Sequence, residues 1–354
     1  LLNVGQNSVS ASTASVNKYP IQDITWETTE SYNIGIDLAS LSNRLRITAD
    51  IYKKKTKDML LALEIPRFIG LTKPSQNAGS MHTIGWELET GWNDRIGKFR
   101  YSVSFNLSDY KSVMGNLRGT EFIGSKIRTE GSQFDEWFGY KANGLFQTQA
   151  EVDAGPKINT NVRPGDIRFH DISGPNGVPD NKITPEYDRV WLGGSLPRDL
   201  YGGNIQFGYK SFDLSIAVQG VGQQKAQIEA DWLSAYNNYA VDIVANRNYW
   251  SKYNSFNQNE TANFPRLSPN FNSNNYSALS NYWLFNGAYF RLKNISLSYS
   301  LPEKYCKIVK ARGCKFYFTS TDLFSLDKFP KNRDPEASSF FITNSYLLGL
   351  SINF

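Results

Sequence analysis

Residues 345 to 354 read SYLLGLSINF, with Tyr346, Leu348, Leu350, Ile352 and Phe354 at every second position and Gly349, Ser351 and Asn353 between them. An extended chain turns successive side chains to opposite faces, so this pattern specifies a strand with one wholly apolar face. It continues to the last residue, where a fraying end of a soluble sheet would gain little from burial. The same period of two recurs in pairs of segments. Tyr32, Ile34, Ile36 and Leu38 are followed, after SLSNR, by Leu45, Ile47, Ala49 and Ile51. Ile84, Trp86, Leu88 and Trp92 are followed, after NDRIGK, by Phe99, Tyr101, Val103, Phe105 and Leu107. YGGNIQFGY joins FDLSIAVQG through Lys210 and Ser211, and FRLKNISLSYSL joins CKFYFTSTDLF through residues 302 to 313. Each pair reads as an antiparallel hairpin.

The faces opposite these apolar stripes carry Ser, Asn, Gly and Thr with scattered charge, such as Arg100, Ser102, Ser104 and Asn106, or Glu87 and Glu89. A soluble sandwich would instead bury the apolar faces against each other and guard its edges with Lys and Glu. The connections also alternate. Short ones (40–44, 93–98, 210–211, 302–313) exchange with long ones (about 56–80, 109–200, 221–285, 325–344), which is the asymmetry of outer-membrane barrels with short periplasmic turns and long extracellular loops. The fold class expected is therefore all-β, part of an antiparallel transmembrane β-barrel. About nine spanning strands result, or about eleven if WFGYKANGLF and GDIRFHDI also span, and bacterial single-chain barrels have even counts. Further strands are thus expected before residue 1, and the whole of 1–354 is expected to be one stretch of barrel.

Composition excludes several alternatives. Aromatics make up 14% of the 354 residues, in favour of β structure and recognition surfaces. The net charge of +5 is spread along the chain, so nucleic acid is not expected as a partner. Mean hydropathy is −0.45 and no apolar run is long enough for a membrane helix, a test to which barrels are blind. The first residues, LLNVGQNSVSASTASVNKYP, lack the charged and apolar regions of a signal peptide. A leader is thus expected elsewhere. Only two histidines, His82 and His170, are present and neither has a carboxylate spacing that suggests a metal site or triad. No enzymatic activity and no cofactor are expected.

Three groups of residues remain as candidates for a role. Asp171, Asn176 and Asp180 in DISGPNGVPD sit among turn-forming glycines and could offer oxygens to calcium, but an insertion spoils the spacing and no bidentate Glu follows, so a tight turn is the expectation and a weak calcium site the alternative. Trp232, Tyr236, Tyr239, Trp250, Tyr253, Tyr282 and Trp283 lie among Asn and Ser in the third long connection. Flat aromatic faces beside amides suit sugars, peptide side chains or a protein partner, and also packing of the loop on itself. Cys306 and Cys314 flank a short connection on what parity makes the periplasmic side, an oxidising place; a disulfide is one expectation and two buried thiols the other.

The stretch ITWETTESYNIGIDLASLSNRLRITADIYKKKTKDML resembles a segment of the SusC/RagA-type TonB-dependent outer-membrane transporters of Bacteroidota. FGYKANGLFQTQAEVDAG, PGDIRFHDISG, YGGNIQFGYKSFDLSIAVQG, YFRLKNISLSYSLP and the closing YLLGLSINF continue the likeness over nearly the whole chain from about residue 20. It departs at Ile21-Gln22, where an Asn-Pro is usual, and in an Asp-rich run, where Pro175 is extra and Asn176 stands for the second Asp. The resemblance implies the C-terminal part of a barrel of about 22 strands, preceded by a plug, a TonB box and a signal peptide that lie outside this sequence. It implies import of glycan or oligopeptide fragments across the cell outer membrane, a SusD-like surface lipoprotein as lid, and energy from the TonB complex. The alternative is a structural or adhesive surface barrel without transport. A soluble glycan-binding sandwich or glycosidase is disfavoured by the lipid-like faces.

Overall fold

The computed structural model describes residues 2–4, 9–11, 24–62, 74–117, 121–228, 248–268, 272–330, 333–337 and 342–354. Its framework is one nine-stranded antiparallel sheet in which each strand pairs only with its neighbours in sequence. The strands are β1 (Thr28–Ser40), β2 (Leu45–Ala62), β3 (Ser75–Ile96), β4 (Phe99–Met114), β5 (Arg198–Tyr209), β6 (Phe212–Gln223), β7 (Tyr289–Ser300), β8 (Gly313–Asp327) and β9 (Ser345–Asn353). A meander of this kind places every odd-numbered connection at one end and every even-numbered one at the other. The first, third, fifth and seventh are the short ones: 41–44, 97–98, 210–211 and 301–312. All long connections therefore share the opposite end.

Registers line up the side chains into rows. Tyr101, Phe207, Leu214, Leu297, Phe318 and Leu348 are directly opposite one another across β4 to β9. One step toward the short connections, Phe99, Tyr209, Phe212, Tyr299, Phe316 and Leu350 form an aromatic-rich row, with the Phe212 and Tyr299 rings 4.5 Å apart. One step the other way run Val103, Ile205, Ile216 and Ile295. Five such rows along β4, from Phe99 to Leu107, span about 27 Å along the strand, which a strand tilt near 40° reduces to roughly 20 Å of height, close to the apolar band of a membrane barrel. This face is open: Ile34 is 82% exposed and Leu348 81%. No other described element covers it.

Glycines let neighbouring rings lie flat on the other face. A Cβ on Gly349 would stand 2.2 Å from the Tyr317 ring of β8, and one on Gly85 would stand 2.4 Å from Tyr52 of β2, so both positions need the bare backbone. The first short turn holds Leu41, Ser42 and Asn43 in the left-handed region and is closed by Arg44, whose guanidinium reaches Asp94 at 3.1 Å. The last of the short connections contains a helical turn, Glu303–Cys306, and a 3-10 turn, Lys307–Val309. It buries Cys306 and Cys314 as free thiols in one small cluster with Ala311.

Two features differ from the sequence reading. β2 and β3 run to Ala62 and from Ser75, so the polar KKKTKD segment is strand and the connection expected over about 56–80 shrinks to 63–74. Alternation gave no hint of this because a strand outside hydrocarbon has no lipid face to maintain. WFGYKANGLF and GDIRFHDI, offered as additional spanning strands, form instead Glu136–Tyr140, Ala142–Leu145 and Ile167–Phe169 in small separate sheets. With three to five residues each they are too short to cross a bilayer, which takes about 9 to 11.

An arginine on the apolar face separates the faces experimentally. Val103→Arg is expected to cost roughly 2 to 4 kcal/mol in urea unfolding of the vesicle-reconstituted protein, if the side chain meets hydrocarbon near the midplane, and Asn106→Arg on the opposite face about 1 kcal/mol or less. Equal losses would contradict a lipid-facing surface.

Candidate functional site

The second face of the sheet is the mirror of the first in character. Asp37, Thr48, Glu89, Asn106, Gly202, Gln219, Arg291 and Ser325 form one row across β1 to β8, directly opposite one another and without an apolar side chain. Thr48 donates to Asp37 at 2.7 Å and Asn33 to Asp50 at 3.1 Å, so the carboxylates near β1 and β2 are held by neutral donors. Such a wall offers hydrogen bonds and charge to a water-filled space. A concavity on it is lined by Asp50, Glu87, Glu89, Asn106, Gln219 and Lys293 among others.

Toward the long-connection end, charge becomes concentrated on β7. Arg291 is almost wholly buried, with its guanidinium over the Tyr289 ring, and pairs with Glu336 at 2.9 Å and with Asp334. Lys293, at a bulge where β7 slips against β6, reaches Asp322 at 3.0 Å. Asp109 of β4 and Arg198 of β5 form a two-toothed ion pair nearby, which locks the mouth of those strands together.

Above this end the long connections fold together into a cap with its own core. Tyr140, Leu145, Ile167, Phe169 and Ile183 of the second long connection pack against Ala226, Ile228, Tyr276 and Trp283 of the third and Phe329 of the fourth. The fully buried Asp166 is the polar centre. It accepts from Asn272 Nδ2 at 2.9 Å, Asn275 Nδ2 at 3.0 Å and the Arg163 amide at 3.0 Å, and it pairs with Arg266 at 2.8 Å. A second buried carboxylate, Asp188, accepts from the amides of Ile172 and Thr184 and closes the loop between them. Neither was singled out in the sequence. The signal available for Asp166 was only its place after Gly165, and Asp188 in PEYDRV had none.

The candidate aromatics fall into three situations. Trp232, Tyr236 and Tyr239 lie outside the described residues. Trp283 is buried, stacked with Tyr276 at 5.5 Å and met edge-on by Tyr282 at 4.9 Å, and the Trp250 indole donates to Gln147 at 3.1 Å. Burial pushes the Tyr276 and Tyr282 hydroxyls well above the usual phenol range, so both stay neutral, and Tyr282 donates to the Asn263 carbonyl at 3.1 Å. These rings serve the cap's interior. Tyr253, at 85% exposure, is the one presented to solvent among the four described.

In the DISGPNGVPD turn, Asp171 accepts from the Asn181 amide and Asp180 from the Lys182 amide at 3.1 Å, so each carboxylate orders its own loop. Asn176 is exposed at the tip. Among the described residues no three His, Cys, Asp or Glu come together as a metal cluster. His82 lies on β3 opposite Lys55, and the His170 amide donates to the Lys141 carbonyl.

No family model matches the chain. TonB-dependent receptor P3 of Formosa agariphila is 27% identical over 331 residues, which covers 89% of this chain and 31% of that protein. TonB-dependent receptor SusC of Bacteroides thetaiotaomicron is 26% identical over 352 residues, covering 94% and 32%. Over most of its length this chain is similar to TonB-dependent receptors. It spans about a third of the length of these relatives. Its fold matches a chain of the RagAB peptide transporter with a TM-score of 0.73 over 99% of this chain and 37% of that one, at 18% identity, and matches the importer's closed-closed state with the same score. These relatives are receptors and transporters, not enzymes. The sheet of this chain is thus a large antiparallel one of the kind found in such barrels.

The buried carboxylate of the cap gives a local test. Asp166→Ala leaves two buried amides and an arginine without their acceptor and is expected to weaken the cap by about 3 kcal/mol or more. Hydrogen exchange should speed up across 142–169 and 272–283 while β4 to β7 keep their protection. Loss of protection throughout the sheet would show that cap and sheet do not unfold separately.

Proposed function

We propose that residues 1–354 form the C-terminal part of a transmembrane barrel of about 22 strands, in the outer membrane of a Bacteroidota-like cell, and that the whole receptor imports oligomeric nutrients. The observation that carries this reading is the pair of parallel rows, one wholly polar and one wholly apolar, over a meander whose long connections all meet in a folded cap at one end. A polar lumen wall passes hydrophilic cargo, an apolar exterior meets lipid, and the cap stands where cargo enters. The apolar edge strands β1 and β9 each need a partner within hydrocarbon, which upstream strands would supply.

The homology to SusC and the fold likeness to the RagAB transporter support a SusD-like lipoprotein over the cap, with energy drawn from TonB through an upstream plug. The RagAB proteins are importers of peptides, which puts oligopeptides beside glycans as the cargo class. A structural or adhesive barrel would share both faces; the likeness to SusC and to the RagAB importer is what favours transport over it.

Cells that make the full-length receptor are expected to deplete oligopeptides or oligosaccharides from the medium, and to stop when a protonophore collapses the gradient that TonB uses. Surface binding of cargo or of other cells that persists without depletion, with and without the gradient, would favour the adhesive reading.

A further inference from the structure

We propose that Gln219, Arg291 and Lys293 form a seat for a carboxylate of the cargo, a seat that Glu336 fills when no cargo is present. The inference rests on the import reading and adds a ligand chemistry to it. The seat belongs to the polar wall near the long-connection end. Gln219 Nε2 donates to Glu336 Oε1 at 3.1 Å, Arg291 Nη1 to Oε2 at 2.9 Å, and Lys293 Nζ lies 3.4 Å from Oε2, so both oxygens of one carboxylate are held by three donors from β6 and β7. This is the arrangement in which a guanidinium and an ammonium recognise a carboxylate.

Three observations mark Glu336 as the exchangeable partner. The first is charge. Arg291 and Lys293 face Asp322, Asp334 and Glu336, two cations against three carboxylates, so withdrawal of Glu336 leaves a neutral cluster rather than an unpaired buried cation. The second is accessibility. Glu336 retains 35% of its side-chain exposure, whereas Asp322 and Asp334 retain 15% and 14%. The third is anchoring: Pro335 is fully buried and Asp334 stays on Arg291, so the Glu336 side chain can swing out while the segment that carries it remains in place. The guanidinium itself is fixed over the Tyr289 ring and does not need Glu336 for its orientation. Lys293 and Gln219 also line the concavity of the polar wall, which connects the seat to the space cargo would occupy.

An incoming carboxylate would thus exchange one negative group for another at constant charge. A peptide C-terminus and a uronic acid both offer this group. The test uses the full-length receptor purified in detergent and reads binding alone, with no energy source, so a failed seat leaves the import reading standing and failed import leaves the seat testable. Glu336→Ala opens the seat, and sodium acetate is expected to raise the melting temperature of that variant saturably, with sodium chloride at equal ionic strength as the control. Wild type and the Glu336→Ala/Lys293→Gln double variant should show no such acetate-specific rise. N-acetyl-trialanine with a free C-terminus and trigalacturonate are then compared with their amide and methyl ester on the Glu336→Ala variant. One charged member is expected to bind about tenfold more tightly than its neutral counterpart, and which pair does so tells peptide from glycan. An acetate effect absent from Glu336→Ala, or equal binding of charged and neutral members in both pairs, would overturn the proposal.

Discussion

Every backbone N–H and C=O in a strand that crosses hydrocarbon must find its partner on a neighbouring strand, because lipid offers none. The nine strands of this chain meet that demand, save at the outer edges of β1 and β9, by pairing with their neighbours in sequence, in register, with few irregularities. The side chains are then free to follow solvent on each face. Tyr101, Phe207, Leu214 and Leu297 form one unbroken apolar row because the ladder sets them opposite one another, and Glu89, Asn106, Gly202 and Gln219 form a polar one for the same reason. The sheet therefore has almost no core of its own.

The core is displaced to the cap. Ile167, Phe169 and Trp283 are buried there, across two connections, and Phe146 beside Val152 and Val162, while many of the sheet's large apolar residues stay open. Two physical regimes share one chain. Beyond the band, in water, burial of apolar area and satisfied buried carboxylates such as Asp166 stabilise the structure as in any soluble domain. In the band, hydrogen bonds are obligatory and apolar exposure is free. The bulge at Lys293 and the left-handed Asp322 lie where the strands near the long connections, and they aim charge at Arg291's neighbours instead of continuing the pleat.

How much of this could be read in the sequence depends on which solvent a residue meets. The hairpins were legible because lipid and lumen impose a strict period of two: Val103, Phe105 and Leu107 against Ser102, Ser104 and Asn106 left little choice. The extension of β2 through Lys53, Lys54, Lys55 and Lys57 was illegible, since both faces of a strand in water can be polar. Trp283 and Tyr282 stayed open in the sequence between ligand contact and packing of the loop on itself, because an aromatic among asparagines looks the same in a binding loop and in a small core; the difference lies in neighbours such as Tyr276 and Phe264. The Glu336 and Arg291 pair joins positions 45 residues apart with no local pattern to announce it.

The claim on which everything rests is that the two faces of the sheet meet different solvents. Spin labels placed singly at residues 101 to 107 of the full-length receptor in lipid vesicles, in a background without Cys306 and Cys314, test it directly. Collision with oxygen, which concentrates in hydrocarbon, should peak at 101, 103, 105 and 107, and collision with a water-soluble nickel chelate at 102, 104 and 106. A profile that shows no alternation, or high nickel access at both sets of positions, would contradict a lipid-facing exterior and with it the barrel.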